Sequence, residues 1–216
     1  MLFFHRIISL FKIVFFQGIW KRNSYNQSHI KRILLAIPWW LMQVLSALLD
    51  ILSIGTIIRY ILHWSNSGKL LDENFIQQHI SLNEKDIRYL KTVIIIEESW
   101  LAKLAMRFND RKQLGLGVAS TIHFSRKIDV SNEQDVRWII HELAHTLQWK
   151  YRGLIYIPEA LICQRFSGYA FGGINTLEQN YSLKNFNPEQ QAEIFVVVQN
   201  GVVKSTIKKE IWNGKW

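Results

Sequence analysis

The stretch that most restricts how this chain can fold is WIIHELAHTLQWK, residues 138–150, which sets His141, Glu142 and His145 into a largely apolar run. Ser131 and Gln134 have capping-box spacing just ahead of it, and Val136, Ile139, Ile140, Leu143 and Leu147 fall on one broad helical face. The pattern predicts a buried helix. Residues four apart on a helix share a side, so His141 and His145 can aim two imidazoles at one point. Neutral imidazole nitrogen is a preferred zinc ligand, and catalytic zinc keeps three protein ligands and one water. Glu142, one residue past the first His, is placed to act on that water as general base. A carboxylate left unpaired among Ile139, Ile140, Leu143, Ala144 and Leu147 would be costly to bury, and a cation beside it offsets that cost.

A third ligand has to come from elsewhere, and two carboxylates compete for the place. In FNPEQQAEIFVVV, Pro188 is set to open a helix, with Glu189 and Glu193 four apart on one face. One of these can bind the metal while the other hydrogen-bonds a ligating His. The rival is Glu159 in YIPEALICQ, which follows Pro158 at another helix start. Helix starts favour acidic residues for dipole reasons alone, so position does not separate the two. Spacing favours Glu189.

The rest of the second region reads as a compact α+β unit. SLNEKDIRYLKTV starts a helix with a capping-box pair at Ser81 and Glu84, VIIIEES offers a buried strand, and WLAKLAMRF is helical. In GLGVASTIHFSRKI a short strand is expected at Thr121–Phe124, with Gly115 and Gly117 ahead of it. Trp138 and Trp149 are expected in the core, and His123 in a structural role.

Charge divides the chain. Residues 1–69 hold eight Lys or Arg against the single Asp50, which is +7 of a total of +9. This favours a membrane surface over a nucleic-acid groove, and there is no zinc-finger spacing, Gly-rich phosphate loop or basic recognition helix. Nucleic acid is not an expected partner. The lone Cys163 excludes an intrachain disulfide and a cysteine-based metal cluster.

Residues 1–20, MLFFHRIISLFKIVFFQGIW, start like a signal peptide, but Lys12 interrupts the apolar stretch and no small-x-small site follows. His5, Ser9 and Lys12 recur at helical spacing, which suits an amphipathic helix lying on a membrane or on the protein itself. Residues 33–58 are long and apolar enough to cross a bilayer, and Trp40 and Tyr60 are spaced like interfacial aromatics. Against this, Gln43, Ser46, Asp50 and Ser53 form one polar stripe, and a mid-membrane Asp costs about 3 kcal/mol. Both a spanning helix with a protected polar face and an amphipathic helix remain open, so the chain is expected to be membrane-associated or cytoplasmic. His63–Asn74 reads as a linker, giving an apolar basic region at 1–66 and a metal-binding domain at 67–216.

HELAH on a helix, then IPEAL, GYAFGG and FNPEQQAEI, together resemble the glutamate-type zincin metallopeptidases, and in particular small bacterial HExxH domains encoded beside contractile secretion and toxin systems. The resemblance covers about residues 80–200. It implies a zincin-like fold with zinc held by His141, His145 and Glu189, Glu193 supporting a ligand, and an edge strand near Thr121–Phe124 along which a peptide or protein substrate aligns. Glu142 would be the catalytic base. Tyr169 in GYAFGG, in a loop loosened by Gly168, Gly172 and Gly173, is the candidate oxyanion donor. The alternative is a non-catalytic, zinc-stabilised binding module or secretion-associated accessory protein.

Overall fold

A computed structural model of the chain describes residues 29–64, 68–109, 113–166, 169–174, 177, 182–201, 206–214 and 216. The amphipathic helix expected at 1–20 lies outside the described residues, as does Gly168. Contacts divide the chain into two units: residues 1–57 with Gly153–Ile155, and residues 58–152 with 156–216. The sequence reading set its division at 66.

In the first unit, helix α1 (His29–Ile51) ends at Leu52 and Ser53, and helix α2 (Ile54–Trp64) follows and runs across the division. Ser53 has a φ of 58°, the left-handed region that interrupts a helix. The apolar stretch 33–58 is therefore not one helix, and Trp40 and Tyr60 belong to different elements. No helix among the described residues is long and apolar enough to cross a membrane. Asp50 is buried, and its Oδ2 accepts the backbone N–H of Leu154 at 2.8 Å.

The second unit is mixed α+β. It continues with β1 (Lys69–Leu70), α3 (Glu73–His79), α4 (Glu84–Leu90), β2 (Ile94–Ile96), α5 (Trp100–Asn109), β3 (Gly115–Val118), β4 (Thr121–Phe124) and α6 (Glu133–Arg152). After α6 come α7 (Tyr156–Phe166), α8 (Pro188–Gln199) and α9 (Thr206–Trp212). The four strands are ordered β1-β2-β4-β3, with β2 and β4 parallel and the outer pairs antiparallel. β4 has the bounds expected from its β-branched pattern, but it lies inside the sheet between β2 and β3. The edges are β1 and β3, and the glycines stand on β3. β1 falls inside the stretch read as a linker, where Lys69 and Leu70 pair with Ile95 and Ile94.

The core forms where α6 crosses β3 and β4 and meets α8. Ile139, Ile140, Leu143 and Leu147 on α6 pack with Ile122 and Phe124 on β4 and with Ile194 and Phe195 on α8, all nearly solvent-free. Two helix starts differ from expectation by a residue or two. Asn83, not Ser81, caps α4 by accepting the Asp86 N–H at 3.0 Å, while the Ser81 N–H donates to Gln199 Oε1. At α6 the Asn132 side chain accepts the Gln134 N–H at 2.8 Å, and Ser131 bonds to Asp129 instead. In both cases an Asn nearer the helix takes the orphan amide first. α8 opens as its sequence predicts, with Pro188 in the first turn, and the structure adds a capping box between Asn187 and Gln190.

Candidate metal centre

His141 and His145 stand one turn apart on α6, and Glu189 stands in the first turn of α8, the two helices packing closely. The two imidazole Nε2 atoms are 3.2 Å apart, and each is 3.5 Å from Glu189 Oε2. Glu159, the rival ligand, is not in this cluster: it stands in the first turn of α7 and is paired with Arg152. Among the described residues, His141, His145 and Glu189 are the group whose ligand atoms converge as a metal site requires.

The hydrogen bonds around the cluster determine which atoms face inward. Gln191 Nε2 donates to the carbonyls of Leu183 and Phe186, at 3.0 and 2.9 Å, which leaves its Oε1 as an acceptor. Gln148 Nε2 donates to that oxygen at 3.1 Å and to the Pro188 carbonyl at 2.9 Å, so Gln148 Oε1 is an acceptor too. His145 Nδ1, 2.8 Å from Gln148 Oε1, must then carry the proton, and its Nε2 presents a lone pair. His141 Nδ1 lies 2.9 Å from Glu193 Oε1, close in distance though not a straight hydrogen bond. That carboxylate favours the proton on Nδ1 there as well.

Three possible ligand atoms thus converge on one point. Ligand atoms around a tetrahedral zinc at about 2.0–2.1 Å lie about 3.3–3.4 Å from one another. The observed sides of 3.2, 3.5 and 3.5 Å fit that spacing. Two imidazoles and one carboxylate are also the donor set of a catalytic zinc with one open position. The residues present fit the ion.

Electrostatics inside the cluster agree with this geometry. Burial alone would push the His141 pKa down, but the contacts with Glu189 and Glu193 hold it up to about 10. Burial likewise opposes a charged Glu189, and the two imidazoles overcome it, holding the carboxyl well below the usual range. Without an ion the cluster keeps a proton that a cation would displace.

Glu142 sits beside this cluster, buried, with Oε1 accepting the Trp138 indole N–H at 3.2 Å. Burial raises its pKa, partly offset by His145 and His141. It lines a cleft of about 360 Å³ with His141, Glu193, Tyr169, Trp138 and Gly115. Tyr169 is on that wall, its ring centroid 5.9 Å from that of His141. Arg126 and Asp135 close the end near the start of α6, where they form a two-pronged ion pair. His123 is elsewhere, buried on β4 between Ser99 Oγ at 2.8 Å and Thr121 Oγ1 at 3.1 Å, and burial lowers its pKa to about 4. Trp149 is half-buried on α6.

Several roles at the site were not read from the sequence. Gly115 and Gly117 let β3 lie flat on α6: a Cβ on Gly115 would be 2.5 Å from Glu142 Oε1, and one on Gly117 2.8 Å from His145 Cβ. Tyr156 stacks on His145 with ring centroids 5.4 Å apart and donates its hydroxyl to the Gly117 carbonyl at 2.8 Å. Gln148 had a readable signal, since it is three residues past His145 on the same helical face. Tyr156 had none.

Comparison of this chain with protein-family models, with curated proteins and with solved structures finds no match.

Proposed function

We propose that the second unit is a zincin-like, zinc-dependent hydrolase of peptide bonds. The observation that carries this reading is the triangle of three possible ligand atoms, with sides of 3.2, 3.5 and 3.5 Å, beside a cleft whose wall includes His141 and Glu142. His141, His145 and Glu189 would hold the ion, and Glu193 and Gln148 would orient the two imidazoles. Bound zinc supplies a Lewis acid that polarises a carbonyl and acidifies a water.

The chain's own groups do the rest. Glu142 takes the proton of the attacking water and passes it to the leaving nitrogen. Burial raises its carboxyl pKa above the ordinary value, which makes it a better proton acceptor than a solvent-exposed carboxylate. Trp138 holds Oε1 and leaves the second carboxylate oxygen for the proton. Tyr169, on the cleft wall, donates its hydroxyl to the developing oxyanion. An extended peptide lies along the outer edge of β3, where Gly115 and the residues before it border the cleft.

The test is Glu142→Gln. Against a mixed peptide substrate library followed by mass spectrometry, the wild type cleaves and the variant loses at least about a hundredfold in rate while still binding zinc. Wild-type protein that carries zinc and cleaves nothing would instead favour a zinc-stabilised binding module.

A further inference from the structure

Over residues 40–51, the part of helix α1 whose side chains are described, the usual polarity is inverted. A helix of a water-bathed unit turns its apolar stripe inward and its polar residues out. In α1, Ser46 and Asp50 are buried along with Ala47, while Leu41, Leu45, Leu48 and Leu52, the last just past its end, are 54, 56, 44 and 66% exposed. The four leucines recur at intervals of four, three and four, one continuous face about 16 Å long at the rise of a helix. The inward Asp50 is accounted for by the Leu154 N–H within the same unit. Ile57, also in that unit, is half exposed. Polar residues turned in and leucines turned out is the arrangement that a hydrocarbon phase selects.

Charge identifies which apolar phase. Residues 1–69 carry eight Lys or Arg against Asp50 alone. That excess attracts anionic headgroups and repels a second copy of the same segment. No described helix is long and apolar enough to cross a membrane, so the face would lie in the interface, as amphipathic helices with basic flanks do. We propose that the leucine face of α1 seats on the surface of an anionic lipid bilayer. The inference stands apart from the metal centre, which is in the other unit.

The experiment is flotation of the full chain with vesicles of phosphatidylcholine, alone or mixed with phosphatidylglycerol. Wild-type protein floats with the mixed vesicles, and less with phosphatidylcholine alone or at high salt. Leu45→Glu with Leu52→Glu lowers partitioning on the order of tenfold or more, with circular dichroism and melting temperature unchanged, because both side chains already face solvent. Leu45→Gln with Leu52→Gln, which adds no charge, gives the same direction of loss. Flotation that survives both double variants would overturn the proposal by moving the contact to another segment. Absence of flotation with either vesicle would overturn it too, as would a dimer in light scattering that the same variants dissociate.

Discussion

Helices α6 and α1 both bury charged or polar side chains among leucines, and they resolve the conflict in opposite ways. On α6, His141, Glu142, His145 and Gln148 are buried together with Ile139, Ile140, Leu143 and Leu147, so the polar and the apolar residues of its middle turns are both inside the unit. Its polar atoms answer one another through Gln148, Gln191, Glu189 and Glu193. On α1, Ser46 and Asp50 are inside while the leucines stay out. One helix is enclosed by its own unit around a cluster that could hold an ion, and the other is left open on its apolar side. Burial of a polar group is thus not a signature of one function: what the apolar residues of the same helix do separates a buried site from a docking face.

The contrast can be broken most directly with one substitution made in both places. Leu143→Ala empties a fully buried position and is expected to cost about 2–5 kcal/mol, whereas Leu45→Ala, more than half exposed, should change stability by less than about 0.5 kcal/mol in solution. Urea melts of the two variants decide it, and equal losses would remove the distinction. Next in size is Gly115→Ala. Its Cβ would press on Glu142 Oε1 and Trp138 Nε1, and forcing extra volume into such a contact costs about 1–3 kcal/mol. Thermal melting should register that loss together with a drop in any peptidase rate.

Gln148→Leu sharpens the account of α6. It keeps the volume but removes the acceptor for His145 Nδ1, and zinc affinity should fall about 10–100-fold, as read by competition with a coloured chelator. A drop no greater than that of a surface Gln variant would reduce Gln148 to packing. The smallest effect is in pH. The His141 pKa is raised to about 10 by its carboxylate neighbours against the opposing effect of burial, so zinc must displace a proton throughout the neutral range. Affinity should rise with pH by up to about tenfold per unit, and calorimetry in buffers of different ionisation enthalpy should report proton release. The metal-free protein should run the other way. A raised folded-state pKa contributes stability below about 6.5, the unfolded value, and that contribution is lost as pH climbs through about 10.

How much of this was legible in the sequence follows from how local each signal is. The α8 start was readable because Pro188 suits the first turn of a helix, and β4 was readable from Thr121 to Phe124 because β-branched and aromatic residues favour a strand. That β4 is an inner strand was not, since its neighbours Ile94–Ile96 and Gly115–Val118 come together only through pairing. Two glycines hid β3, because glycine weakens the strand signal where backbones must approach closely. Glu189 and Glu159 looked alike as acids opening helices, and only the partner separates them: imidazoles for one, Arg152 for the other. The polar stripe of α1 was plain in its spacing. Periodicity establishes that a helix has two faces, not which of them meets protein.

Metal content of the purified full chain by mass spectrometry, for the wild type, His145→Ala, Glu189→Ala and Glu159→Gln, tests the central claim most directly. The account predicts one zinc per chain in the wild type and in Glu159→Gln, and none in the other two, since the converging atoms belong to His141, His145 and Glu189. A folded wild type that takes up no zinc from solution would contradict it, and so would zinc that survives Glu189→Ala and disappears with Glu159→Gln.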